Sequence, residues 1–177
     1  MAHIRPEEPV MAICAMLGAN RDILDRATDS LTGLLGPVEL ASEDFPFTQT
    51  DYYAPEMGDG LWRRLLAFRE RILPGELGAI KRKTQEIESS FARRDGDRER
   101  RRVNLDPGYI APAKLVLAST KDFAHRIALG QGIYAEITLL FTRQGVRCLD
   151  WTYPDFRAET YRPFLLEARR RLLRPAR

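Results

Sequence analysis

The chain has 177 residues, 44% of them hydrophobic and 30% charged, with a formal net charge of +3. This is the composition of one ordinary globular domain, long enough to bury most of its apolar surface. No long apolar run follows Met1, so neither a signal peptide nor a transmembrane helix is expected, and the expected compartment is the cytoplasm. Cys14 and Cys148 both lie in apolar segments, which suits small buried hydrophobes in a reducing compartment and excludes a disulfide framework.

Residues 9–17 (PVMAICAML) are apolar and uncharged, the pattern of a strand buried on both faces. Asn20 is placed to cap a helix whose Ile23, Leu24, Ala27, Leu31, Leu34 and Leu35 share one side, and Gly36-Pro37 ends it. Residues 38–42 read as a second strand. Residues 43–58 carry Pro46, Pro55 and four aromatics and read as irregular; Thr48, Thr50, Asp51, Tyr52, Tyr53 and Glu56 concentrate polar groups there. Two helices are predicted next. Leu61, Trp62, Leu65, Phe68 and Ile72 recur at helical spacing up to Pro74-Gly75, and Leu77, Ile80, Thr84, Ile87 and Phe91 mark a second buried stripe.

Residues 93–102 (RRDGDRERRR) have no apolar period and are expected to form a mobile loop. Asp106-Pro107-Gly108 has the composition of a turn, since proline presets one dihedral and glycine supplies the next. Residues 113–119 fit a short helix or a strand equally. Residues 125–129, 133–141 and 146–153 read as a three-stranded antiparallel meander, joined by Gly130-Gln131-Gly132 and by residues 142–145. Pro154 ends the pairing, and Tyr161, Phe164, Leu165, Ala168 and Leu172 face inward on a final helix.

Alternation along the meander carries the functional reading. Ile133, Ala135, Ile137, Leu139 and Phe141 point one way, and Tyr134, Glu136 and Thr138 the other. Pairing Leu129 with Ile133 sets Arg126 opposite Glu136 and Ala128 opposite Tyr134. Pairing Phe141 with Val146 sets Glu136 opposite Trp151 and Tyr134 opposite Tyr153. One side then presents a row Arg126, Glu136, Trp151 beside a row Ala128, Tyr134, Tyr153. Flat rings with a few charges make a binding floor, although the same pairs also stabilise a sheet with no ligand. Lys121, His125 and Arg126 are donors suited to a phosphate or carboxylate. His125 can titrate near neutrality and act as acid or base, but in this register it shares the apolar side with Ile127, where a histidine serves as a hydrogen-bonded core residue.

Several chemistries are excluded. There is no G-x-x-x-x-G-K-[ST] loop, no G-x-G-x-x-G after the first strand and no G-x-S-x-G elbow. Two histidines and two distant cysteines cannot build a zinc finger or an H-E-x-x-H site. Asp51, Glu56, Asp106 and Glu136 could supply carboxylates to magnesium, but no spacing argues for it, so no metal site is assigned and the cofactor is left unknown.

The segments PFTQTDYYAPEMG, VNLDPGY, LASTKDFAHRIALGQGIYAEITL and WTYPD together resemble a bacterial family known as domain of unknown function 4416. The resemblance runs from about Pro9 to the last helix. It implies a single-domain bacterial protein with no established activity, so it transfers no catalytic residues. Ala128 stands where the resemblance leads one to expect an aromatic, which makes the aromatic surface smaller in this chain.

The expected fold is α+β: a single domain, residues 1–177, with a largely antiparallel sheet, a C-terminal three-stranded meander and helices packed mainly on one face. The expected function is binding of a small anionic ligand, phosphate- or carboxylate-bearing, by a cytoplasmic protein whose status as an enzyme stays open. Lys121 and Arg126 would hold the anion, His125 and Glu136 would handle protons, and Tyr134, Trp151 and Tyr153 would form the floor. The alternative is a non-catalytic module that uses the Arg-rich loop and the C-terminal helix, with Arg169, Arg170, Arg171 and Arg174, on RNA or protein.

Overall fold

The computed structural model describes residues 3–50, 52–95 and 98–174. In chain order the elements are β1 (Val10–Gly18), α1 (Arg21–Leu35), β2 (Val38–Ala41), β3 (Phe45–Pro46), a one-turn α2 (Ala54–Met57), β4 (Trp62–Ile72), α3 (Leu77–Ser90), β5 (Arg93–Asp95), β6 (Arg98–Arg100), β7 (Val103–Ala111), β8 (Lys114–Ser119), β9 (Ile127–Gly130), β10 (Ile133–Thr142), β11 (Gly145–Cys148) and α4 (Arg162–Leu172). Nine strands form one sheet in the order β11-β10-β8-β7-β1-β4-β2, with β3 on β4 and β9 on β10. Every pairing is antiparallel. No helix among the described residues is long and apolar enough to cross a membrane.

Apolar β1 lies centrally and is buried along its whole length, as its composition requires. Strands β1 and β2 are not neighbours, because β4 is inserted between them. The segment β1-α1-β2-β4-α3-β7, with its strands in the order β7-β1-β4-β2, is the split βαβ arrangement of ferredoxin-like folds. The two long helices cover one face: Ile23, Leu24, Ala27, Leu31 and Ile80 pack on Cys14, Met16, Leu66, Phe68 and Leu105. The shorter α4 covers part of the other, where Phe164, Leu165 and Ala168 meet Met11, Ile13, Leu65, Ile110 and Leu139.

Three predicted elements differ. Residues 61–72 form β4, not a helix. Their apolar spacing suits either, but β4 is flanked on both edges and buries Leu65, Leu66, Ala67 and Phe68 consecutively. The arginines that look like a helix's polar side are taken up on opposite faces, Arg63 by Asp155 and Arg64 by Asp44 and Asp25.

Asp106-Pro107-Gly108 is not a turn but lies within β7. Leu105 directs its N–H and C=O away from β1, toward side chains of α3. Pro107, two residues on, therefore turns its missing N–H the same way, where no β1 partner is lost. Gly108 is required by close approach, since a Cβ there would lie 2.2 Å from the Val116 carbonyl oxygen of β8. In the segment expected to be a mobile loop, Arg93–Asp95 pairs with Arg98–Arg100 as a short hairpin, and residues 96 and 97 lie outside the described ones.

The three predicted meander strands are present, but β11 stops at Cys148 instead of running to Tyr153. A register shift after Ile137 puts Leu139 and Phe141 on the face opposite to Ile133, Ala135 and Ile137, so the expected single row does not form. Both β9 and β11 pair with the edge of β10 that β8 leaves open, one at each end, because residues 134–135 and 139–140 of β10 each have partners on two sides.

Candidate functional site where the sheet splits

Strands β7 and β8 pair only from Gly108↔Leu117 to Ala111↔Lys114. Beyond Gly108 they part, and the gap holds a cavity of about 250 Å³. Register fixes its floor. Leu17 pairs with both Arg63 and Asn104, Ala15 with Asp106, and Leu117 with both Gly108 and Glu136, so these side chains share the face that α4 covers elsewhere. Two irregular segments make the walls. Residues 47–50 and 52–57 are anchored by Phe47 and Met57, which pack with Leu17 and Leu61. Residues 149–157 are tied down by Thr152, whose hydroxyl donates to the Thr138 carbonyl at 2.5 Å, and by Arg157, which donates to the carbonyls of Leu149, Asp150 and Thr152.

Splitting leaves the β7 edge without a strand partner at Leu105, and buried backbone groups cannot stay unpaired cheaply. Helix α3 supplies the substitutes: Lys81 Nζ donates to Leu105 O at 2.6 Å, and Glu88 Oε1 accepts from Leu105 N at 2.8 Å. Lys81 lies 3.7 Å from Glu88 and 3.6 Å from Asp106. Burial pushes the Glu88 carboxyl up from its ordinary value, against the pull of Lys81. Arg101 joins Asn104 at 2.7 Å and Glu56 at 2.5 Å, and Asn104 in turn donates to Asp106 at 2.7 Å.

Arg63 is a buried charge in the wall, 3% exposed. Its Nη2 meets Asp155 Oδ2 at 2.5 Å, while Nη1 lies 3.9 Å from Asp106 Oδ2, beyond hydrogen-bond length. Burial works against its charge, but Asp155 and Asp106 outweigh that and hold the guanidinium above its usual value. Phe47 covers it, 4.9 Å from ring centre to Cζ. The buried Tyr161 hydroxyl lies close enough to feel both its charge and a weak side-chain hydrogen bond, yet no acceptor among the described residues meets Nε or Nη1 with full hydrogen-bond geometry. Buried nitrogens are seldom left so.

The residues predicted from the meander adjoin this cavity. Ile133 pairs with Gly130 and not with Leu129 as expected, but a register shift restores the expected pairs Tyr134↔Ala128 and Ala135↔Ile127. Arg126, just ahead of β9, reaches Glu136 with its side chain. Glu136 Oε2 accepts from Arg126 Nε at 2.8 Å and faces His125 Nε2 at 3.0 Å, with side chains 8% and 1% exposed for Arg126 and Glu136. His125 is therefore not on the apolar side with Ile127, which is itself exposed. Its ring stacks on Trp151 at 5.1 Å and 10°. Trp151 is not opposite Glu136: β11 ends at Cys148, and Trp151 Nε1 donates to the Ile137 carbonyl at 2.8 Å. Tyr153 accepts from Arg126 Nη2 and borders the cavity; burial pushes its hydroxyl up to about 12. Lys121 borders it too and donates to the Tyr52 hydroxyl across the mouth. Of the seven predicted residues, Lys121, Glu136 and Tyr153 line the cavity; Arg126 and His125 stand behind Glu136, Trp151 stands behind His125, and half-buried Tyr134 is not among the lining residues.

A family model described as a domain of unknown function (DUF4416) matches residues 8–172. The chain belongs to that family. No curated protein and no solved structure matches it.

Much of the site in this DUF4416 chain is invisible to a meander-centred reading. Arg63 was hidden in a presumed helix, and Asp106 in a presumed turn. Lys81, Thr84 and Glu88 did leave a signal: polar residues at positions 81, 84 and 88 share one helix side, and all three are buried. Of the carboxylates considered for magnesium, Asp51 lies outside the described residues, while Glu56, Asp106 and Glu136 all border the cavity. Among the described residues no group of three or more His, Cys, Asp or Glu side chains is placed to hold a metal ion.

Proposed function

We propose that the cavity at the sheet split binds a small ligand through an anionic group, carboxylate or phosphate, in a cytoplasmic bacterial protein. One observation carries the reading: buried Arg63 in the cavity wall, with Nε and Nη1 unmatched by any acceptor among the described residues. A buried donor without a partner costs about 1–3 kcal/mol, more when charged, and a ligand oxygen would recover that. The wall's carboxylates, by contrast, each have a cationic or amide neighbour already. Lys121 supplies a second cation at the mouth, and Tyr53 and Tyr153 provide rings with hydroxyls that burial keeps protonated. Of the pair expected to move protons, Glu136 borders the cavity, and His125 acts by orienting it.

The interaction-module reading has less support. In α4, Arg169 donates to the Pro112 carbonyl, Arg170 pairs with Glu167, and Arg171 holds Glu167 and the Glu39 carbonyl. These arginines already have partners within the chain, although the Arg170 side chain is 49% exposed.

The test is melting temperature of the full chain with inorganic phosphate, acetate, succinate or citrate at constant ionic strength, for wild type, Arg63→Gln and Lys121→Ser. A ligand at a hundred times its Kd stabilises by about 2.7 kcal/mol. The expected result is stabilisation by at least one anion, lost in Arg63→Gln and weakened in Lys121→Ser. Equal stabilisation in all three proteins, or none in wild type, would overturn the reading.

A further inference from the structure

We infer that the ligand is an α-amino acid or a close analogue, its carboxylate on Arg63 and its ammonium on Asp106. This rests on the reading that the cavity binds an anionic group through Arg63, and it goes further by naming the ligand's other charge.

Charge balance is the first argument. Among the described residues the cavity wall carries four cationic side chains and five carboxylates, so these give no surplus of positive charge with which to neutralise a polyanion. Burying uncompensated charge is expensive. A zwitterion leaves the balance unchanged.

Position is the second. Arg63 Nη1 and Asp106 Oδ2 stand 3.9 Å apart, side by side but too far to hydrogen-bond. Asp106 is the more accessible member, its side chain 27% exposed; its Oδ2 accepts from Asn104 at 2.7 Å, while its Oδ1 accepts no hydrogen bond among the described residues and lies 3.6 Å from Lys81. Two neighbouring, opposite and incompletely satisfied charges match a ligand whose carboxylate and ammonium are attached to one carbon. Neither a lone anion nor an amine would complete both.

Shape is the third. Tyr53 meets Tyr52 edge-on at 5.1 Å and 89°, and Phe47 at 6.0 Å. Beside the charged end, these rings give a side chain an apolar wall to pack against.

The experiment titrates the full wild-type chain calorimetrically with the standard L-α-amino acids. Any binder is then compared with the same molecule lacking its amino group and with the amine lacking its carboxylate. At least one amino acid should bind, and each analogue should bind about tenfold or more weakly, as expected when one partner of a buried charge pair is left alone. Asp106→Asn should bring the amino acid down to the affinity of its deaminated analogue. Carboxylates or phosphate binding as well as every amino acid would overturn this inference while leaving the anion site intact. If neither amino acids nor simple anions bind, both fall. The wild-type analogue series decides the matter even if the Asp106 variant does not fold.

Discussion

Replacing Arg126 with alanine tests the part of the site that register predicted. The side chain is 8% exposed and its partner Glu136 1% exposed, so the pair is well removed from water. Exposed pairs are worth about 0–1 kcal/mol, because solvent screens them. Here the substitution would leave the Glu136 carboxylate buried with only His125 at 3.0 Å and the Thr138 hydroxyl at 3.5 Å. It would also remove donors to Ser119 Oγ, the Lys121 carbonyl and the Tyr153 hydroxyl. Breaking a buried pair from one side costs about 3–5 kcal/mol. For a chain of this length that lowers Tm by about 6–20 °C, at about 2–4 °C per kcal/mol. Urea unfolding followed by far-UV circular dichroism and tryptophan fluorescence gives the free energy, with an unchanged slope showing that two-state behaviour is kept. The double variant Arg126→Met, Glu136→Leu should recover much of the loss, since neither charge is then stranded. A loss below about 1 kcal/mol for Arg126→Ala would refute the reasoning, because it would place the pair among the solvent-screened ones.

Gly108→Ala should destabilise by about 1–3 kcal/mol or more, since its Cβ would meet the Val116 carbonyl oxygen at 2.2 Å; amide hydrogen exchange should show the loss in β7 and β8, and normal protection there would contradict the close approach. Glu88 has its folded-state carboxyl raised above the ordinary 4.5, so its contribution to stability is full below that pH and fades as pH rises through the folded value. Glu88→Gln keeps an acceptor for Leu105 N–H and removes the titration, so its stability relative to wild type should climb across that window; a pH-independent difference in urea midpoints would refute the assignment. Asn20→Ala removes the side-chain oxygen that accepts from Ile23 N at 2.9 Å and should cost about 1 kcal/mol in thermal unfolding; no measurable change would mean that the cap does not support α1.

Where one physical constraint dominates, the sequence was legible. An uncharged apolar run can only be buried, so β1 was readable; Asn20 and Gly36 bracket α1 with their own chemistry. Short loops limit register, which is why Phe141 opposite Val146 could be read directly, whereas Ala128 opposite Tyr134 is reached only through a register shift after Gly130↔Ile133 that the sequence does not show. Residues 61–72 were not legible, because a strand covered on both faces buries successive residues and loses the alternation that distinguishes it from a helix. Trp151 failed for a different reason: β11 stops at Cys148, and nothing in the residues 149–153 announces that the exit leaves the sheet before Trp151.

Chemistry in the cavity follows from one backbone event. Because β7 and β8 close on each other at Gly108 and Pro107 offers no N–H beyond it, the sheet opens there. Opening exposes the polar groups of Leu105, and Lys81 and Glu88 are buried in answering them. Those two charges thus have a structural reason to be where they are, and their burial alone is no argument for a ligand. Arg63 is different. Its pairing with Asp155 uses Nη2 alone, and the fold supplies no acceptor for Nε or Nη1 among the described residues. A guanidinium recruited only to hold residues 153–156 against β4 could have been replaced by an apolar pair of similar volume at little cost or with a gain in stability. Its place at the edge of a cavity, with donors to spare, is the feature that structural economy leaves unexplained and that the proposed ligand would use.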